Sequence, residues 1–541
     1  MPASALQIHL RRPGILLMDG DKATSKNSGV LKGCLMIFLA AITLFRFYYI
    51  WHGNINLSPD EAHYWEWSRR LALGYYSKGP IIAWLIWAGT ALFGNTELGV
   101  RFFAPVLSLL GSVILYALGR ELYDEETGIW ASALFQAVPL FSAFGVIMTI
   151  DAPFLFSWIL ALFFFHKALK SNGTAQWVAL GLAVGVGMLT KLTMSFFILS
   201  VFLYLVSGRE REKLFSFRPY AGLLACLALF APLLYWNSRH NWVNFRHEMG
   251  HADIQAGLRV SPESFFQFVG SQFGVVTPIL FALMIYALVK DRKRVFTLPG
   301  KGAVSYAQEG IYGGRFSFWF AAPTLVFFLL KSIQGKVQGN WAMAGYITGL
   351  FAFSSVFLGK NPVKGFPWKK ALAASAVATC LFAAAVTYYP SVIGLPPKLD
   401  PQSRLKGWRE LAAEVEKKAP PTPYFVFSDA YQVSSELAFY MKGHPVTYCA
   451  RTGRRMNQYD LWPGFEGLRG DNAVFVTIGA ADLPEAVKDA FAGFTKKTFM
   501  ETEDDGKVET GKDKKGKTLS VYTIYTCYGF KGMKEEPIKE F

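Results

Sequence analysis

Charge is what this 541-residue chain has least of: Asp, Glu, Lys and Arg make up 17%, while 52% of the residues are hydrophobic and 16% aromatic. Soluble proteins carry roughly a quarter charged residues, so a string of ordinary soluble domains is excluded. Cysteine is sparse too, with five residues and no repeated metal spacing. Cys34, Cys226 and Cys380 lie in apolar blocks and read as small core residues. Cys449 and Cys527 lie in the polar C-terminal part, where an oxidising compartment would permit a bridge that the spacing alone neither requires nor forbids. There is no glycine-rich phosphate loop, no internal repeat and no low-complexity tract. The net charge is +16, yet from Pro390 onward 22 Lys and Arg stand against 21 Asp and Glu. The excess therefore sits in short loops between apolar blocks, the pattern of the positive-inside rule and not of a nucleic-acid surface.

What is abundant is hydrophobic length. A helix needs about 20 apolar residues to cross a bilayer. After a polar tail over residues 1–32, such a block runs from 33 to 51 and ends in Phe45, Phe47, Tyr48, Tyr49 and Trp51, an interfacial aromatic belt. It lacks a short apolar core with a small-residue cleavage site, so it reads as an uncleaved first helix with a cytoplasmic N-terminus. Further blocks lie near 98–118, 129–148, 153–169, 176–190, 194–207, 219–236, 274–289, 316–331, 342–358 and 370–389. The expected fold is an all-α polytopic membrane bundle of about eleven spans over 33–389. The stretch 80–93 is apolar but short, and reads as an interfacial or re-entrant helix.

An odd number of spans exports residues 390–541. It also puts the clusters Arg209, Arg211, Lys213, Arg218, then Lys290, Arg292, Lys293, Arg294, then Lys360, Lys364, Lys369, Lys370 inside. The exported part alternates polar helices with strand-like runs at Tyr424–Phe427, Ala473–Ile478 and Leu519–Tyr525, and is expected to be an extramembrane α/β domain. Residues 502–517 read as an exposed turn.

The first outer loop carries the densest chemistry. Leu57-Ser58-Pro59-Asp60-Glu61-Ala62-His63-Tyr64-Trp65-Glu66-Trp67 sets two adjacent carboxylates just beyond a membrane helix, where either suits a general base or a metal ligand. The same residues also make a good helix start, with Ser58 as cap, Pro59 first in the helix and Glu61 closing a capping box. Lys78 and Arg101 follow on the side that usually avoids cations, as anion binders or as snorkelling side chains. In the short second outer loop, Asp151 is either a site residue or a first-turn helix acid.

Together these pieces resemble the C-type (GT-C) membrane glycosyltransferases. The similarity is to bacterial relatives of the protein O-mannosyltransferases and to the lipid A aminoarabinose transferases. It rests on Asp60-Glu61-Ala62-His63-Tyr64-Trp65, Gly74-Tyr75-Tyr76-Ser77-Lys78-Gly79-Pro80, Leu92-Phe93-Gly94 through Arg101, Thr149-Ile150-Asp151-Ala152-Pro153, Gly187-Met188-Leu189-Thr190-Lys191, and Gly335-Lys336 ahead of Trp341. The resemblance implies a sugar donor on a polyprenyl phosphate and inversion at the anomeric carbon, with Asp60 as general base and Asp151 orienting the acceptor or the sugar. Lys78, with Lys191, Lys336 or Arg101, would stabilise the leaving phosphate, and Glu61 and Tyr64 would line the substrate site. The implied setting is the outer face of a bacterial inner membrane, and the implied partners are the lipid-linked sugar, the bilayer, and a lipid A, glycan or protein acceptor. One departure is Ser77, where the aminoarabinose transferases have an acidic residue associated with a metal. A divalent metal is therefore allowed and not required. Lys78-Gly79-Pro80 stands where lysine-proline-proline is usual, a change that frees the backbone.

Two other classes compete. Arg246-His247-Glu248-Met249-Gly250-His251 contains a literal His-Glu-x-x-His, which on a helix would hold zinc in a metalloprotease. Gly250 weakens that helix, Arg246 puts a cation beside the metal, and no third ligand follows at a set distance; His251 serving the glycosyltransferase site is the alternative. A lipid-linked-sugar transporter would carry charge within its helices, whereas here the acidic residues cluster in outer loops. Tyr448 to Asp460, rich in Arg and Tyr, is the expected acceptor contact surface of the C-terminal part.

Overall fold

The computed structural model describes residues 18–52, 55–251, 260–290, 311–360, 368–395, 400–421, 423–479, 482–502 and 518–534. Of the turn expected at 502–517, Thr502 ends a strand and residues 503–517, like the basic Arg292, Lys293, Arg294 and Lys364, lie outside the described residues. Helices α1 (Met18–Trp51), α2 (Pro59–Ser68), α3 (Ile81–Phe93), α4 (Glu97–Arg101) and α5 (Phe103–Leu122) open the chain. They are followed by α6 (Glu125–Ala137), α7 (Pro139–Phe144), α8 (Asp151–Ser171), α9 (Thr174–Thr190), α10 (Ser195–Val206), α11 (Phe217–Arg239) and α12 (Val243–His251). The membrane part ends with α13 (Pro262–Val276), α14 (Pro278–Lys290), α15 (Ile311–Gln334), α16 (Met343–Phe357) and α17 (Trp368–Tyr388).

Each of the eleven apolar blocks overlaps a helix, but the blocks differ in length. Among the described residues, 6 helices are long and apolar enough to cross a membrane, and two bent pairs bring the number up to 8. α9 and α16, at 17 and 15 residues, fall short. One bent pair is α13 and α14, which meet at 102° where Thr277 has φ 76° and Pro278 opens the next helix. The stretch 80–93 is the short helix α3, as expected, with Trp84 and Trp87 exposed on it.

Inside the bundle, close glycine contacts and a buried arginine of α1 join several helices. A Cβ on Gly181 of α9 would lie 1.9 Å from the Gly222 carbonyl oxygen of α11, so the two backbones touch as glycine alone permits. Arg46 of α1 is fully buried and bonds across three other helices. It donates to Ser108 at 3.0 Å, to the Tyr388 hydroxyl at 3.0 Å and to the Gln136 side chain. The membrane helices are thus not free of charge, and this one is satisfied by uncharged acceptors.

The C-terminal part contains α18 (Trp408–Lys418), α19 (Tyr431–Tyr440), α20 (Glu485–Asp489) and strands β1 (Tyr424–Ser428), β2 (Thr447–Cys449), β3 (Asn472–Ile478), β4 (Phe491–Thr502) and β5 (Thr518–Phe530). They form one five-stranded sheet in the order β2-β1-β3-β5-β4, parallel between β1 and its two neighbours and antiparallel beyond β3. The three strand-like runs of the sequence are β1, β3 and β5; β2 and β4 are additional. Cys449 on β2 and Cys527 on β5 are both buried thiols three strands apart. Neighbouring strands are spaced about 4.8 Å, which sets these two too far apart for a disulfide.

Candidate active site

α2 begins as the capping motif requires. Ser58 Oγ accepts the Glu61 amide at 3.3 Å and Glu61 Oε2 accepts the Ser58 amide at 2.9 Å. Glu61 does more than cap. Fully buried, it receives Arg101 Nε and Nη2 at 2.8 Å each and the Met148 amide at 2.8 Å. Burial alone would raise its carboxyl, but Arg101 and these hydrogen bonds outweigh it and hold Glu61 below the ordinary carboxylate range. Arg101, itself fully buried, also bonds the Ile55 and Asn56 carbonyls. Glu61 and Arg101 thus fasten the start of α2 and the loop before it to α4 and to the loop before α8. Arg101 is therefore not a snorkelling side chain but part of a buried ion pair with Glu61.

With Glu61 so occupied, the neighbouring Asp60 is left facing outward. It is solvent-accessible, and its one hydrogen bond among the described residues comes from the Tyr431 hydroxyl of α19 at 3.4 Å. The protein crowding around its carboxyl raises its pKa, which the Tyr431 bond opposes; the like charge of Asp151 raises it further, and Lys78 and Arg404 lower it. Asp151, first residue of α8, is buried with both oxygens engaged. Lys191, at the end of α9, donates to one at 2.8 Å and Asn340 to the other at 2.8 Å. Tyr64 is buried with its hydroxyl among the charges of Asp60, Asp151 and Glu248, and burial in that acidic setting raises its pKa well above the ordinary value.

Lys78 is ion-paired with Glu248 of α12. Its loop lies hard against α9, because a Cβ on Gly79 would fall 1.9 Å from the Leu189 carbonyl oxygen. Glycine at this position is thus a matter of close approach, and not of a freed backbone. The pairing also bears on the His-Glu-x-x-His pattern: Glu248 is bound to a lysine, and His247 packs on the Tyr76 ring with centroids 4.7 Å apart. A zinc-site base needs an uncommitted carboxylate, and Glu248 is committed to Lys78. The His251 side chain lies outside the described residues. Lys336 is exposed ahead of the turn that carries Asn340.

Among the described residues the donor set does not suit a divalent ion. No group of three His, Cys, Asp or Glu is poised to share one among the described residues. Asp151 and Glu248 are each neutralised by a lysine. Tyr431, Arg404 and Asn340 had no signal in the sequence, since each reaches the site from another part of the chain.

The fold is that of the C-type membrane glycosyltransferases, and the chain is a multi-pass membrane enzyme similar in sequence to named glycosyltransferases. The crystal structure of ArnT from Cupriavidus metallidurans bound to undecaprenyl phosphate has the same fold, with a TM-score of 0.59 at 16% identity over 91% of this chain and 98% of that one. The family model for dolichyl-phosphate-mannose-protein mannosyltransferase matches residues 77–236. Over nearly its whole length the chain is similar to the lipid A galacturonosyltransferase RgtD of Rhizobium johnstonii, at 25% identity over 91% of this chain and 98% of that protein. It is also 30% identical to undecaprenyl phosphate-alpha-4-amino-4-deoxy-L-arabinose arabinosyl transferase 1 of Pseudomonas fluorescens, over 32% of this chain and 35% of the relative.

Proposed function

We propose that this enzyme transfers one sugar from a polyprenyl-phosphate donor to a hydroxyl of lipid A, of another envelope glycan or of a protein, at the periplasmic face of a bacterial inner membrane and with inversion. The observation that carries the reading is the division of labour between Asp60 and Glu61. Of the two adjacent carboxylates, one is locked into a cap and a buried ion pair, and the other is open, within electrostatic reach of Asp151, Lys78 and Arg404. A hydroxyl is a weak nucleophile until a positioned carboxylate takes its proton. Asp60 is that base: the acceptor oxygen bonds to the anomeric carbon, the carbon–phosphate-oxygen bond breaks, and the hydroxyl proton goes to Asp60.

The leaving phosphate needs charge stabilisation and no proton. Lys78 supplies it, helped by Lys191, while Asn340 and Lys191 hold Asp151 against the sugar or the acceptor. Tyr64 supports the same substrate surface. Arg101 and Glu61 act behind this surface, as positioning residues. The N-terminus lies in the cytoplasm, about eleven segments cross, counting the shorter apolar helices, and residues 390–541 form a periplasmic domain that selects the acceptor.

The test uses purified wild type and Asp60→Asn with polyprenyl-phosphate sugars and lipid acceptors, following polyprenyl-phosphate release by mass spectrometry. Asp60→Asn is expected to lose about a hundredfold or more, the usual worth of a general base, with unchanged elution on size exclusion. Normal turnover by Asp60→Asn would return Asp60 to a helix-start role and move the base to Asp151.

A further inference from the structure

The C-terminal part is not a bystander to this site. α19 lies against α2, and four of its side chains meet the first outer loop. The Tyr440 hydroxyl accepts the Leu57 amide at 2.7 Å, Ser435 lies 3.0 Å from His63 Nδ1, Glu436 is buried beside the Glu61–Arg101 clamp, and Tyr431 donates to Asp60 Oδ1 at 3.4 Å. The Tyr431 ring is fixed from behind by the His63 ring, with centroids 4.6 Å apart. No hydrogen bond from a described residue reaches Asp60 Oδ2, so the oxygen that must receive a proton is the one left open.

We propose that Tyr431 is a positioning residue for the transfer reaction: its hydroxyl, delivered by the C-terminal part, holds one oxygen of Asp60 so that the other faces the acceptor as an ionised base. This rests on the reading of Asp60 as the base. It also gives the C-terminal part a direct chemical task in addition to the choice of acceptor.

The charges around Asp60 come from several elements. Asp151 raises its proton affinity, Lys78 and Arg404 lower it, and Tyr64 and Glu436 lie within electrostatic reach. His63 is the nearby imidazole, and burial drops its pKa to about 3, so it stays neutral above pH 5. Tyr431 has its own pKa raised by burial and by Asp60, so it remains a donor across the assay range. Loss of the Tyr431 bond therefore makes Asp60 easier to protonate, and the acidic limb of the activity profile moves to higher pH.

The experiment measures kcat/KM from pH 5 to 9 for wild type, Tyr431→Phe, Asp60→Asn and the double variant. The phenylalanine keeps the ring packed on His63, so folding is preserved. Tyr431→Phe is expected to move the acidic limb up by about 0.7 pH unit, so that activity on that limb falls by up to about fivefold, the worth of one hydrogen bond, while the alkaline plateau and the acceptor KM stay unchanged. In the Asp60→Asn background it should cost nothing more, since the group it positions is gone. A Tyr431→Phe profile parallel to wild type, or a loss confined to acceptor KM, would overturn the proposal and make Tyr431 a simple acceptor contact. Full activity in Asp60→Asn would overturn the underlying reading of the base instead.

Discussion

Adjacent carboxylates can be told apart by what their oxygens are already doing. Glu61 spends both oxygens on a cap, an arginine and a backbone amide, whereas Asp60 receives one hydroxyl. Glu436 of α19 is the opposite extreme: fully buried, with neither carboxyl oxygen hydrogen-bonded to a described residue. Burial, with the nearby Glu61, pushes its pKa well above the ordinary value. In the unfolded chain the same group ionises in the usual carboxylate range, so folding binds a proton here. Stability at this position is therefore greatest below that range and declines as pH rises toward the folded-state pKa. Glu436→Met removes both the ionisation and the unsatisfied oxygens, and is expected to stabilise by about 1–3 kcal/mol at pH 8. Thermal unfolding in detergent at pH 5 and pH 8 checks this; the advantage over wild type should shrink at the lower pH. An equal gap at both would mean that Glu436 is charged in the folded protein or is satisfied by water.

At the scale of elements, long apolar runs could be read directly from sequence because a membrane helix has one demand, length without charge. The eleven blocks overlap helices for that reason, and the capping box of α2 could be read because it is closed within four residues. The number of full crossings could not, since α9 and α16 are apolar but short and two other helices are broken. Arg46 was hidden among aromatic residues, and only the fold reveals that Gln136, Ser108 and Tyr388 converge on it. The same convergence yields an asymmetric prediction. Arg46→Met removes the buried charge together with its need for partners, and should cost about 1 kcal/mol. Gln136→Leu leaves the guanidinium buried with fewer acceptors, and should cost about 3 kcal/mol. Yield of monodisperse protein and apparent Tm should thus be clearly worse for Gln136→Leu; equal damage from both would show that Arg46 reaches water.

The whole molecule is a bundle and a sheet joined through the chemistry. The site itself was only half legible for this reason: Asp60, Lys78 and Asp151 stand in local patterns, but Asn340 and Tyr431 arrive from 189 and 371 residues away in contacts that no window of sequence contains, and Arg404 acts on Asp60 through its charge. The joint is extensive. Tyr440 bonds the Leu57 amide and Glu97, Arg409 pairs with Glu97, the Gln458 side chain accepts the Tyr76 amide at 2.7 Å, and Trp408 donates to Asn56 at 2.9 Å. Many of these groups are buried, so the two parts behave as one folding unit and not as a tethered pair. A protease site placed between Leu395 and Asp400 tests this. After cleavage the two pieces should co-elute in detergent and keep most of the transfer activity, because the contacts and not the covalent link hold Tyr431 against Asp60. A chain ending at Leu395 should lose activity, since the loop that presents Asp60 would give up the Leu57, Asn56 and Tyr76 bonds together with the Tyr431 hydroxyl. If the cleaved pieces separate while the bundle alone still consumes donor in the presence of acceptor, the C-terminal part would be reduced to a recruiting module, with the base positioned entirely by the clamp of Glu61 and Arg101.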